Sequence, residues 1–155
     1  MARLHIPVVA RWGDMDAYGH INNVQAHRLI EEARVRALWR SGAPDDAPTA
    51  VLDDGSETGV QSVVARIETE FLAVMPYLRA PIDVEVWLGR LGGASMELCF
   101  ELYSPTHVEP RVLFVRSTTT LVTISAETGS PVRIPEQVRA AWADYIEEPI
   151  RFTRR

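Results

Sequence analysis

Leu4, Ile6, Val8, Ala10 and Trp12 alternate with more polar or smaller neighbours, which predicts a short strand with one buried face. From Val24 to Arg40 the period changes. Ala26, Leu29, Ile30, Ala33 and Ala37 recur at three- and four-residue steps, the pattern of an amphipathic helix, with Asn22 or Asn23 placed to cap its start and Gly42 to stop it. Such small side chains suit a helix lying close against a broad surface such as a sheet. Gln25, Arg28, Glu32 and Arg36 fall on the opposite face, where Arg28 to Glu32 and Glu32 to Arg36 are ion-pair spacings. The period then drops to two. Val63, Ala65, Ile67, Thr69 and Phe71 alternate, as do Ile82 to Leu88 and Met96 to Leu102, with Gly92-Gly93 marking a hairpin between the last two. Val112 to Ile124 predicts a long β-branched strand interrupted by Arg116 and the run Ser117 to Thr120. Ile134-Pro135-Glu136 opens a final helix whose apolar stripe is Val138, Ala141, Trp142, Tyr145 and Ile146. Strands joined by short links imply an antiparallel sheet covered by the one long helix, an α+β layer fold. Its outer face and edges call for a partner.

Between helix and strands, Ala43 to Gly59 holds two prolines and four aspartates without a period, so it is expected to be a loop free to move. A length of 155 residues, 46% apolar and 24% charged, fits one globular domain spanning 1–155. The formal charge of −5 comes from scattered acids, and the only dense basic patch, Arg151, Arg154 and Arg155, reads as a solvated end. A nucleic-acid partner is therefore not expected. Cys99 is the single cysteine, which excludes an intrachain disulfide or a multi-cysteine zinc site and suggests a cytoplasmic home. No stretch approaches the ~20 apolar residues of a membrane span, and Met1 to Ala10 lacks the apolar block of a secretory signal.

Chemistry concentrates in Arg11 to Asn23, R-W-G-D-M-D-A-Y-G-H-I-N-N, a polar link from strand to helix start. A calcium loop fails there, because Tyr18 and Gln25 stand where oxygen ligands are required; a transition-metal site from Asp14, Asp16 and His20 is a minor reading. No G-x-S-x-G elbow, Walker loop or dinucleotide glycine pattern occurs, and Cys99 sits in an alternating strand with no histidine beside it. What is left is a carboxylate next to a helix N-terminus. A carboxylate can attack a carbonyl carbon or draw a proton from water, while an unpaired backbone N–H holds the oxygen that becomes negative. A thioester suits this small toolkit, since its carbonyl is weakly resonance-stabilised and its thiolate leaves readily. The plainer alternative stays open: Asp14 and Asp16 cap turns, and Asn22 and Asn23 cap the helix.

The string D-M-D-A-Y-G-H-I-N-N, followed by a helix carrying E-E-A-R (Glu31 to Arg34), resembles the hotdog-fold acyl-CoA thioesterases of the 4-hydroxybenzoyl-CoA thioesterase type. The likeness continues in F-L-A-V-M-P-Y-L (71–78), R-L-G-G-A-S (90–95) and I-P-E-Q-V-R (134–139), and D-A-Y-G-H-I-N-N also resembles plant acyl-ACP thioesterases. The resemblance implies a hotdog fold, a five-stranded antiparallel sheet wrapped around one long central helix with a short C-terminal helix. It implies Asp16 as catalytic nucleophile or general base, Asp14 as structural, an oxyanion contact at the Asn23 amide, and His20 with Asn22 shaping the loop. Tyr18 and Gly19 join them toward substrate, and Arg90 with Ser95 in the hairpin would hold coenzyme A. No metal and no cofactor is implied. The partners implied are an acyl-CoA or acyl carrier protein thioester and further copies of the chain, as a homodimer or homotetramer. Some hotdog relatives instead place a glutamate on the helix at the active site, a part Glu31 could take here, although its helix face favours a salt bridge. A non-catalytic acyl-CoA binding protein, and dehydration of a hydroxyacyl thioester, are the other readings of the same scaffold.

Overall fold

The computed structural model describes residues 2–153; Arg154 and Arg155 of the expected basic end lie outside the described residues. Five strands, β1 (Leu4–Val8), β2 (Val60–Phe71), β3 (Ile82–Leu91), β4 (Ser95–Tyr103) and β5 (Leu113–Ser125), and two α-helices, α1 (Asn23–Leu38) and α2 (Glu136–Trp142), form in the expected order. Every strand pairing is antiparallel, in the spatial order β1-β3-β4-β5-β2, so β1 and β2 are the two edges. The first strand is short, as expected. After Val8 the chain turns away and Trp12–Asp14 winds into a 3-10 turn.

Helix α1 runs across β1 and β3 on one face of the sheet. It buries Ala26, Leu29, Ile30, Ala33, Ala37 and Leu38, and the three alanines allow the backbone to approach the strands closely. Opposite it stand the alternate residues of the central strands, Val84, Val86 and Leu88 on β3 and Leu98, Phe100 and Leu102 on β4, all fully buried. Strand register places these side chains together, and a one-residue slip would turn the whole set to the other face. On the polar side of α1 only part of the expected ladder forms. Arg28 reaches Glu32 at 3.6 Å, but Arg36 donates to the carbonyl of Pro7 instead of meeting Glu32. Proline and that arginine together blunt the β1 edge.

The loop after α1 is held by its own aspartates. Asp46 accepts from the amides of Ser41 and Gly42, Asp53 from Gly55 and Thr58, and the buried Thr49 hydroxyl donates to Ala37 at the helix end. The acidity that resembled a mobile segment therefore supplies turn acceptors.

The other face of the sheet is covered by the chain's last stretch. The amide of Glu147 donates to Leu88 and the Trp87 indole to Glu148. Arg3 pairs with Glu85, Glu101 and Glu147 and lies over the Trp87 ring. This explains why β3 is buried on both faces. Burial pushes the Cys99 thiol up to about 11, so the single cysteine is held as an inert thiol. No helix among the described residues is long and apolar enough to cross a membrane.

The covering stretch needs Gly89. A Cβ there would stand 2.8 Å from Cys99 Sγ and 3.1 Å from Pro149 Cα. Gly89→Ala is expected to lower stability by about 1–3 kcal/mol, read as a lower urea midpoint with an unchanged slope.

Candidate active site

The link from β1 to α1 is built around two aspartates that do different things. Asp14 is 1% exposed, and its carboxylate accepts from the Arg11 amide at 2.7 Å, the Arg11 guanidinium at 3.0 Å and Arg28 of α1 at 2.6 Å. The peptide unit joins in, with the Asn22 amide donating to the Asp14 carbonyl at 2.9 Å. One buried acid thus ties the entry of the loop, its exit and the second turn of the helix. Burial works against its ionisation, but the amide and guanidinium donors outweigh that and hold its carboxyl below the usual range.

Asp16 is only partly buried. Its Oδ1 accepts from the Tyr18 amide at 2.9 Å and the His20 amide at 3.4 Å, while its backbone closes the same turn through Asp16 N–H to His20 O and Gly19 N–H to Asp16 O. Gly19 has φ +76°, a conformation that side chains with a Cβ rarely adopt, so the turn depends on glycine. Oδ2 of Asp16 has no partner within the chain among the described residues.

Helix α1 starts at Asn23. Of the two candidates Asn22 is the N-cap, its side chain accepting from the Val24 amide at 2.9 Å, while Asn23 is the first helical residue and its side chain shares that donor at 3.0 Å. The amide of Asn23 itself has no acceptor in the chain among the described residues, as expected for the first helical N–H.

Asp16, Tyr18, His20 and Asn23 line one cleft of about 440 Å³ with Ile21, Ala26, Phe71, Leu72, Met75 and Val115. The apolar wall comes from the end of β2 and the segment behind it, stitched to the loop by Ile21 N–H to Met75 O and the bridge between His20 and Pro76. These wall residues carry no chemical signature of their own, and only the F-L-A-V-M-P-Y-L string drew attention to that stretch. Asn22 and Gly19, also expected to face substrate, do not line this cleft; they sit in the helix cap and the turn beside it. Arg90 and Ser95 are brought together elsewhere, along a smaller cleft at the β3–β4 hairpin with Leu91, Met96, Glu97 and Thr120. Glu31 is exposed and pairs with Arg34 at 3.4 Å.

Metal binding by Asp14, Asp16 and His20 does not fit, because two arginines saturate Asp14. The one grouping of potential metal ligands among the described residues is His5, Asp83 and Glu85 on the other face of the sheet, where Arg111 already neutralises both acids at 2.6 and 2.7 Å.

Because the Asp14 carboxyl is more acidic folded than unfolded, its contribution to stability is complete above the ordinary carboxylate pKa and is lost as pH falls through the lower folded value. Asp14→Asn is therefore expected to cost about 2–3 kcal/mol near neutrality. The deficit should shrink as wild type and variant are compared in increasingly acidic urea titrations.

Residues 10–142 match the thioesterase-like superfamily, and no curated protein matches the sequence. Among solved structures, the PA2801 protein of Pseudomonas aeruginosa is 29% identical, with a TM-score of 0.68 over 90% of this chain and 95% of its own. The PA5185 protein of the same organism is 23% identical, with a TM-score of 0.76 over 92% and 91%. Slr0204 of Synechocystis, a 1,4-dihydroxy-2-naphthoyl-CoA thioesterase, is 16% identical, with a TM-score of 0.71 over 92% and 95%. With the superfamily match running from the end of β1 to the end of α2, and the same sheet and helix recurring in these structures, the chain belongs to the thioesterase-like superfamily and has its hotdog fold.

Proposed function

We propose that this protein is an acyl-CoA thioesterase, a single hotdog domain that hydrolyses an acyl thioester to the free acid and coenzyme A. The observation that carries the reading is the pairing, on one apolar-walled cleft, of a carboxylate with an uncommitted oxygen and a helix-start amide with no acceptor. Hydrolysis needs both. Asp16 Oδ2 takes a proton from water as the water oxygen bonds to the thioester carbon, or itself forms that bond and yields an anhydride that water then opens. In either course the carbonyl oxygen becomes negative and the Asn23 N–H, at the positive end of α1, stabilises it. The C–S bond then breaks, the electron pair leaves with sulfur, and the thiolate takes up a proton.

The remaining residues have supporting parts in this reading. The amides of Tyr18 and His20 hold Oδ1 so that Oδ2 is aimed, Gly19 allows that turn, and Asn22 fixes the helix start. The His20 ring and the exposed Tyr18 border the thioester. Arg90 and Ser95 are suited to phosphate oxygens of the coenzyme, through a guanidinium and a hydroxyl. An acyl group in the cleft lies along Ala26, Phe71 and Val115, which offer no charged group to it.

A homodimer belongs to the same proposal. Strand β2 is a twelve-residue edge with Val63, Val64, Ile67 and Phe71 exposed. Among the described residues it carries neither a proline nor an arginine on its own carbonyls, as β1 does, although it has a bulge between Val64 and Arg66. Pairing of two such edges would cover these side chains and close the cleft on its Phe71 side.

Asp16→Asn, which keeps the shape and the Oδ1 acceptor, should lower kcat on an acyl-CoA panel by about two to four orders of magnitude with an unchanged melting temperature. Turnover near wild type would remove Asp16 from the chemistry, and acyl-CoA binding without thiol release by the wild type would make the protein a binder only. Ile67→Arg should shift the protein from dimer to monomer in size-exclusion chromatography with light scattering; a dimer of unchanged stability would place the interface elsewhere.

A further inference from the structure

Behind the cleft, the face of the sheet under α1 changes character. Register aligns side chains in rows across it: Val84, Leu102, Val115 and Phe71 form the row that lines the cleft, followed by Val86, Phe100, Ser117 and Thr69, then Leu88, Leu98, Thr119 and Ile67, then Leu91, Met96, Leu121 and Val64. On β3 and β4 every one of these positions is apolar. On β5 and β2 the two middle rows instead hold three hydroxyls, Ser117, Thr69 and Thr119, between apolar rows in front and behind.

Strand formation does not require those hydroxyls. Valine has the shape of threonine and the same preference for strands, and it would leave nothing unpaired. Ser117 and Thr69 satisfy each other in part, with oxygens 2.7 Å apart and Ser117 donating to the Glu68 carbonyl at 3.1 Å, which leaves acceptor capacity on Thr69. Thr119 has no such partner. Its residue is 1% exposed, and its hydroxyl is buried without any hydrogen bond. A sealed, unpaired hydroxyl lowers stability, so its presence calls for a reason.

Position supplies one. Counting from Val115 on the cleft wall, Ser117 is one side-chain repeat deeper along β5 and Thr119 two, about 7 and 14 Å. Phe71, in the front row, is half exposed and leans on His27 of α1 with ring centroids 6.1 Å apart, so the side chain in front of Thr69 is one with room to move. The cleft itself ends at Phe71 and Val115, so a group displacing Phe71 would open a way between otherwise apolar side chains and meet oxygen only at this corner.

We propose that the acyl group this protein accepts carries a hydroxyl or keto oxygen on its distal part, and that Thr119, with Thr69 beside Ser117, recognises it. The inference rests on the reading of the Asp16 cleft as the thioester site and narrows its substrate class. A plain alkyl chain would leave Thr119 unpaired and would gain nothing from Thr69. An oxygen at the matching depth can accept from Thr119 and, as a hydroxyl, donate to Thr69. A hydrogen-bonding site of this kind discriminates strongly against analogues that lack the oxygen.

The test uses plain and ω-hydroxy acyl-CoAs of matched chain length, so that the oxygen is walked along the passage. Wild-type kcat/KM should favour the hydroxylated member by about tenfold or more at one length. Thr119→Val should abolish that preference while raising the melting temperature, and Thr119→Ser should retain it. The same pairs are also titrated calorimetrically against Asp16→Asn, so the affinity ratio is read whether or not turnover occurs. Equal kcat/KM and equal affinity at every length, or a preference untouched in Thr119→Val, would overturn the substrate assignment alone. Tighter binding of the hydroxylated member with no hydrolysis by the wild type would support this inference and overturn the enzymatic one.

Discussion

Everything at the candidate site hangs on a buried carboxylate that performs no chemistry in the proposed reaction. Asp14 accepts from Arg11 at the start of the loop and from Arg28 on the helix, and its carbonyl takes the Asn22 amide at the loop's end. The geometry is that of a clasp: three segments that would otherwise drift independently share one charge and one peptide unit. Asp16 and the first amide of α1 can then face the same cleft without either being rigid on its own. An ion pair of this sort is a weak source of net stability but a strong one of orientation, since leaving one partner unpaired in the interior is so costly.

Two acids of identical chemistry, two positions apart, therefore have opposite fates. The strand-to-helix corner turns one side chain inward, where arginines saturate it, and the other outward, where a glycine turn occupies a single oxygen. This division also disposes of a metal site in the loop, because the ligand set would need the very acid the arginines hold. The sheet shows a comparable division. Its outer face spends its acids on Arg3 and Arg111 beneath the covering C-terminal stretch, while the face under α1 is apolar except at the corner next to β2. Polar groups buried on the apolar side are few; Thr123 ties its strand to Ala94 and Val132, whereas Thr119 has no partner.

Much of the fold was legible along the chain because it depends on local periodicity. The alanine-rich 3.6-residue stripe, the four alternating runs and the Gly92-Gly93 turn are each self-contained signals, and each became the element it predicted. Local pattern and tertiary need diverge at a few points. Alternation runs on to Trp12, but the strand, expected to be short, stops at Val8, where the chain bends so that Asp14 reaches Arg28. Arg36 matched Glu32 in spacing yet went to Pro7, because an open sheet edge offered it a carbonyl. The aspartates of the long loop, legible only as loop formers, close its turns.

By itself the sequence determined the kinds of elements, their order and the short polar stretch where chemistry could sit, since those follow from side-chain period, capping residues and composition. Only the tertiary structure decided which aspartate keeps an open oxygen, which side chains from β2 and β5 wall the cleft, and which hydroxyls are sealed behind it. The physical reason is that these are properties of pairs distant along the chain. Val115 meets Phe71, and Thr119 lacks a partner, only once five strands have settled into one register.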